Sequence, residues 1–332
     1  MPMIRPLFLA PDMAPPQRTL AVDCTGSGAD AVYSHWRDAP AAPPELADDT
    51  STGILLRAAA DSARWLAGFA RVANDHIDAD GLLAIAVACN PDVALAHAQL
   101  LIGAAEAGDF SEWPGEPAFR LMLRVHQVIR DQRQRGSDWQ QRSCDAVADD
   151  LQALIEQSAQ PDAERDAQIA QVVAVRARLA ARDGFAIGLL GDLASIAWDR
   201  RCGHATDAFT TVHEPDDLPV WALAGLFPDT TFQLLVERRS DGLSYRLDAP
   251  RHSWARTVRR PTVAWPDLRR CRTRLQSLEP LTGCRWLAFP ESRSAGFVCL
   301  LACVDGDGRP GPSGLAATVV ESAVREGLRA RA

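Results

Sequence analysis

Near the start of the chain, short apolar runs stop abruptly at polar residues, and helical stretches separate them. Thr19-Leu-Ala-Val ends at Asp23, and Ala31-Val-Tyr-Ser ends at His35 and Trp36. Phe69-Ala-Arg-Val-Ala then delivers Asn74-Asp-His-Ile-Asp-Ala-Asp-Gly. Runs of this length bounded by turn residues suit buried strands. Residues 37–46, rich in Pro and Ala, read as loop. Asp49-Thr-Ser-Thr offers N-cap residues for a helix to about residue 66, and residues 82–89 and 91–107 read as further helices. Such alternation predicts a mostly parallel sheet, because parallel strands need crossover connections. The polar groups would then collect at the carboxyl ends of the strands, where open α/β sheets bind ligands.

Residues 116–183 carry apolar positions at helical spacing, among them Val147, Leu151, Leu154 and Ile155, then Ile169, Val172, Val173, Val175 and Leu179. Strand-like runs return at Phe185-Ala-Ile-Gly-Leu-Leu, Phe232-Gln-Leu-Leu-Val, Trp286-Leu-Ala-Phe and Gly296-Phe-Val-Cys-Leu-Leu-Ala, with a last helix over about 314–330. The expected architecture is α/β: a mostly parallel sheet in residues 1–112, a helical middle over 113–183, and an α+β part over 184–332. Of eight cysteines no two make a CxxC pair, and Cys299 and Cys303 sit in an apolar run, so core thiols are expected rather than zinc or a disulfide. No apolar run approaches the ~18–20 residues of a membrane span. The opening apolar stretch is too short and Pro-broken for a signal peptide, which makes the cytoplasm the expected compartment.

The segment 74–81 carries the densest chemistry. His76, Asp78 and Asp80 alternate with Ile77 and Ala79; in an extended backbone all three would point one way. Carboxylates brought together repel unless a cation sits between them. Nitrogen and oxygen donors of this kind suit Mn²⁺, Mg²⁺ or Fe²⁺. A calcium loop would need Glu where Val87 stands. A haloacid-dehalogenase-like phosphatase would want Thr or Val where Leu82 stands, and usually a Lys further on; the chain has no lysine.

His76-x-Asp78-x-Asp80-Gly81 resembles the first motif of the DHH phosphoesterase superfamily, whose H-x-D-x-D-G holds a pair of Mn²⁺ ions. The resemblance implies that Asp23, Asp78, Asp80, His76 and Asp109 are metal ligands, with His35 standing where the superfamily has Asp-His-His. The order is permuted, since H-x-D-x-D comes third here, and the superfamily's Gly-Gly-Gly-His is absent. The N-terminal segment also resembles a family of uncharacterised bacterial proteins through Ser34-His-Trp, Asp49-Thr-Ser-Thr, His76-x-Asp-x-Asp-Gly and Ala104-Ala-Glu-Ala-Gly-Asp-Phe. That resemblance implies no activity.

Residues 251–274 hold eight arginines against one acid, Asp267, a local charge of +7 in a chain of net charge −8. Trp254 and Trp265 are interleaved. Guanidinium forks suit phosphates and indoles suit bases. Arg256, Arg259 and Arg260 are therefore expected to receive a small anionic or nucleotide ligand, while the acidic remainder discourages long nucleic acid. His97 and His126 fall on helical faces and read as surface or capping groups, His204, His213 and His252 lack metal-ligand spacing to one another, Gly26-Ser-Gly reads as a tight turn, and Gly306-Asp-Gly-Arg-Pro-Gly reads as a loop. The expected function is a metal-dependent hydrolase, a DHH-like phosphoesterase. His35, His76 and Asp78 would be catalytic and Mn²⁺ the foremost metal, with Mg²⁺ next. Its rival is a non-catalytic ligand-binding or regulatory protein that keeps a degraded metal site.

Overall fold

A computed structural model describes residues 4–26, 28–199 and 218–329. Ser27, His204 and His213, considered above, and Cys202, one of the eight cysteines, lie outside the described residues. The chain forms two compact units: Met1–Ala170 with Trp254–Thr262, and Gln171–Ser253 with Val263–Ala332. This division falls elsewhere than the composition shifts suggest. The helical middle is divided at residue 170, and its earlier helices belong to the first unit.

The first unit holds β1 (Arg5–Phe8), β2 (Thr19–Val22), β3 (Ala31–Tyr33), α1 (Ser51–Ala60), α2 (Ser62–Trp65), β4 (Arg71–Asn74), α3 (Ala79–Cys89), α4 (Pro91–Ala96) and α5 (Ala98–Asp109). Next come α6 (Glu116–Gln134), α7 (Trp139–Ala148), α8 (Leu151–Ala159) and α9 (Ala163–Ala181), the last running on into the second unit. The sheet is parallel throughout, in the order β1-β4-β2-β3. The three expected strands are neighbours in it, as the polar groups at their ends require. β1 was not foreseen: Pro6 interrupts its pattern, and it is tolerated because β1 lies at the edge of the sheet.

Helix α3 is buried from Ala79 to Ala88 and packs against α1, α5, α7 and β4. A helix apolar all round has no solvent face, so its position is fixed from every side. Its N-cap is Asp78, whose Oδ1 accepts the Gly81 N–H at 2.9 Å. Two glycines allow close approach here. A Cβ on Gly81 would stand 1.8 Å from Nδ2 of the buried Asn74, and one on Gly108 would stand 2.9 Å from the Ala79 Cβ, where α5 meets the start of α3. Gly81→Ala should cost about 1–3 kcal/mol by overpacking, measured by denaturant unfolding; unchanged stability would mean that Asn74 moves aside freely.

The second unit holds β5 (Phe185–Leu189), β6 (Leu193–Asp199), β7 (Phe232–Arg239), β8 (Gly242–Asp248), α10 (Arg269–Leu278), β9 (Arg285–Ala288), β10 (Cys299–Val304) and α11 (Ala317–Arg329). Its sheet runs β5-β6-β7-β8-β10-β9, and only β6 and β7 pair in parallel. Together with the helical middle, this is the α/β class expected from the sequence. Strand β8 is not among the strand-like runs of the sequence, because Arg246 and Asp248 break its apolar pattern; both are buried as an ion pair at 2.6 Å. The expectation that cysteines are core thiols fails for one pair: Cys284 and Cys303 are joined by a disulfide between the start of β9 and β10. Nineteen residues separate them, so no local spacing gave the pair away. Cys24, Cys144, Cys271 and Cys299 are buried free thiols, each with its pKa pushed up to about 12 by burial first. Among the described residues no helix is long and apolar enough to cross a membrane.

Candidate metal centre

Because the sheet of the first unit is parallel, β2, β3 and β4 end on one edge. Asp23 follows β2, His35 lies two residues beyond β3, and His76 and Asp78 follow β4. Asp80 sits in the first turn of α3, and Asp109 is the last residue of α5. The side chains of Asp23, His35, Asp80 and Asp109 offer ligand atoms all within 4.8 Å of one another, and so do Asp23, His76 and Asp78. Asp23 belongs to both groups.

The motif 76–81 reaches this arrangement by a different route from the one expected. It is not extended throughout: Asp78 is an extended N-cap, and the helix has begun by Ala79. The correction matters, because the turn into α3 sends Asp80 to the deeper group while Asp78 stays with His76 in the outer one. Period-two alternation would have put all three in one place.

The deeper group is shut off from solvent. His35 Nε2 lies 3.2 Å from Asp23 Oδ1, 3.1 Å from Asp109 Oδ2 and 3.7 Å from Asp80 Oδ2. The side chains of His35, Asp23 and Asp80 are fully buried and that of Asp109 is 6% exposed. On the other side of the imidazole, Nδ1 stands 2.6 Å from the carbonyl of Asp49. A carbonyl only accepts, so Nδ1 carries the proton and, in the neutral ring, the Nε2 lone pair faces the three carboxylates. Asp80 accepts the N–H groups of Ser51 and Thr52 at 2.7 and 2.8 Å, so the N-terminus of α1 anchors it. Ser51 Oγ and Trp36 Nε1 donate to Asp23 Oδ1 at 2.8 and 3.1 Å. Asp23 itself holds φ 52°, left-handed backbone that few residues other than Gly adopt.

The outer group is more open. His76 is 31% exposed and Asp78 37%. His76 Nε2 lies 3.0 Å from Asp78 Oδ2 and 3.3 Å from Asp23 Oδ2, and its Nδ1 lies 3.0 Å from Asp75 Oδ1.

The electrostatics are those of a cluster short of positive charge. Burial, then repulsion from Asp23, pushes Asp80 up to about 7. Burial, then Asp78 and Asp80, holds Asp109 well above the usual carboxylate range. The carboxyl end of α5 adds its own negative dipole there. Burial alone would raise Asp23 too, but the adjacent imidazoles of His35 and His76 outweigh it and hold it far below its ordinary value. Both imidazoles are raised: burial works against their charge, and the carboxylates overcome it, Asp109 and Asp23 for His35, and Asp78 and Asp23 for His76. Asp23 Oδ2, His35 Nε2 and Asp109 Oδ2 are buried with no aligned hydrogen-bond partner. Such orphaned atoms are rare. Three within the two adjoining groups, all of ligand type, fit cations there; four carboxylates with two neutral imidazoles would balance two divalent ions.

The sequence-derived ligands Asp23, His76, Asp78, Asp80 and Asp109 therefore lie together with His35. Arg256, Arg259 and Arg260 are engaged otherwise. Arg256 Nη2 donates to the carbonyls of Arg37 and Ala39, and Arg259 and Arg260 pair with Asp48, Asp49 and Glu106. Their charge is met by acids of the same unit, which the net charge of the segment conceals. Asp49, Ser51, Thr52 and the Trp36 N–H were not foreseen as parts of the site. Their signal was the Asp49-Thr-Ser-Thr and Ser34-His-Trp strings, whose spacing to the ligands exists only in the fold. A third group, Glu279, Cys284 and Cys303, is committed elsewhere: its thiols form the disulfide, and Glu279 accepts from Ser313, Gly314, Trp286 and Leu281.

No curated protein matches the chain. A family model described as a family of unknown function, DUF6687, matches residues 6–293, and the chain belongs to that family.

Proposed function

We infer that the protein is a metal-dependent hydrolase, a phosphoesterase of DHH-like site design that acts on a small phosphate-containing or nucleotide substrate. The observation that carries this is the shared aspartate: Asp23 turns Oδ1 to His35 and Oδ2 to His76, so one carboxylate serves two adjacent ligand groups. His35, Asp80 and Asp109 would hold one divalent ion with Asp23, and His76 and Asp78 the other. Mn²⁺ suits the donor set, with Mg²⁺ as the alternative. Bound there, such ions supply charge for a phosphate oxygen and a more acidic water. The protein keeps the deeper group dry, fixes the His35 tautomer through the Asp49 carbonyl, and leaves His76 and Asp78 open to an incoming phosphate. Trp36 lies 5.1 Å from His76 and Trp254 5.0 Å from His35, ring centre to ring centre, an apolar flank suited to a base.

The test is elemental analysis of dialysed protein, then a screen of phosphomonoesters, phosphodiesters and dinucleotides with Mn²⁺. Two equivalents of metal and chelator-sensitive turnover are expected; protein that binds no divalent metal would overturn the proposal. Asp78→Asn gives a finer check. Asparagine still caps α3, so the fold should survive while one equivalent binds at least about tenfold more weakly. Two unchanged equivalents would remove Asp78 from the site.

A further inference from the structure

The segment Trp254–Thr262 enters the first unit from chain that, on both sides, belongs to the second. Its contacts gather around His35. Ala255 forms an antiparallel bridge with Trp36, and the Arg256 N–H donates to the His35 carbonyl at 2.6 Å. Arg37 Nε donates to the Ala255 carbonyl at 3.1 Å. Further along, the Val258 and Arg259 N–H groups donate to Asp49 Oδ1 at 2.6 and 2.9 Å, and Arg260 Nη1 donates to Asp49 Oδ2 at 2.6 Å. The Asp49 carboxylate is fully buried, and its backbone carbonyl is the one that accepts from His35 Nδ1. One residue thus grips the segment with its side chain and the imidazole with its backbone.

We propose that residues 254–262 are a strap that positions His35 for the deeper metal group, with Asp49 as the positioning residue through which the strap acts. The proposal rests on the two-metal reading and adds the control of one of its two subsites. A ligand nitrogen serves an ion only while its lone pair is aimed at it, and the partner of the other ring nitrogen sets that aim. The strap fixes that partner and the His35 backbone together. Its hold on the outer group is weaker in kind, because His76 and Asp78 are fixed by Asn74, Asp75 and Gly81.

The experiment is calorimetric titration of metal-free, full-length protein with Mn²⁺, with the Mn²⁺ resonance spectrum followed in parallel. It compares wild type, Asp49→Ala, Asp49→Asn, Arg260→Gln and, as control, Arg57→Gln. Wild type should bind two equivalents. Asp49→Ala should weaken one of them by about 10–100-fold, the range for lost support of a metal ligand, and leave the other within threefold. Arg260→Gln should act in the same direction but less strongly. Asp49→Asn keeps an oxygen for the two N–H groups and should recover most of the affinity; it and Arg260→Gln decide the matter if Asp49→Ala does not fold. Arg57→Gln should change neither equivalent. Wild type that binds no Mn²⁺ overturns the two-metal reading and the strap with it. Wild type that binds two, with strap variants that keep both or weaken both alike, overturns the strap alone.

Discussion

Replacing Asp23 by asparagine should weaken metal binding at both ligand groups at once. The amide keeps the shape of the carboxylate, and its oxygen can still accept from Ser51 Oγ and Trp36 Nε1. What it loses is the charge that faces His35 on one side and His76 on the other. Loss of support around a metal ligand costs roughly 10–100-fold in affinity, and loss of a ligand shared by two ions should exceed 100-fold for the pair. Metal content after dialysis is expected to fall from two equivalents to one or none, and any phosphoesterase turnover to fall with it. Circular dichroism should remain that of the folded protein. Two retained equivalents would show that Asp23 does not join the groups.

The second large effect is on stability against pH. In metal-free protein, Asp80 is pushed up to about 7 and Asp109 well above its ordinary value. Each therefore keeps a proton in the folded state that the unfolded chain releases near pH 4, so each contributes stability that is lost as pH rises. His35 and His76, raised above their ordinary value, contribute stability present below about pH 6.5 and lost above it. Asp23 works the other way: its contribution is present above about pH 4 and lost in stronger acid. The metal-free protein should be most stable at mildly acid pH and weaken steadily toward pH 8, by several kcal/mol, on the order of 10 °C in melting temperature. Divalent metal replaces those protons, so added Mn²⁺ should stabilise strongly at about pH 7.5 and little at about pH 5. Thermal melts with chelator and with Mn²⁺ at both values decide it. An equal metal effect at both would mean that the cluster does not exchange protons for ions.

Much of this site was legible in the chain because strand ends announce themselves: an apolar run that stops at Asp23, at His35 or before His76 places those groups on one edge of a parallel sheet. The string 76–81 named residues that the fold does bring together, but for a reason that the fold replaces, since the α3 N-cap, and not an extended backbone, parts Asp80 from Asp78. Asp109 was legible only through resemblance; physically it depends on Gly108 letting α5 close on Ala79. The ion pairs of Arg259 and Arg260 were not legible, because charge counted along a chain says nothing about which acids meet it in space. Asp48, Asp49 and Glu106 meet Arg259 and Arg260 from positions about 150–210 residues earlier, a reach that local propensity does not see. The same segment splits the second unit in sequence, so no run of composition could have marked the boundary.

The left-handed backbone at Asp23 bears on how such a protein could change over evolutionary time. Besides glycine, aspartate and asparagine are the residues that most readily accept that conformation. Larger and β-branched replacements would strain the turn that carries the shared carboxylate. Position 23 thus accepts a neutral amide at little backbone cost. On the two-metal reading, Asp23→Asn would remove the shared charge in a single step while keeping the contacts of Oδ1 with Ser51 and Trp36. On that reading, relatives without the metal pair would be recognised by an asparagine at this position.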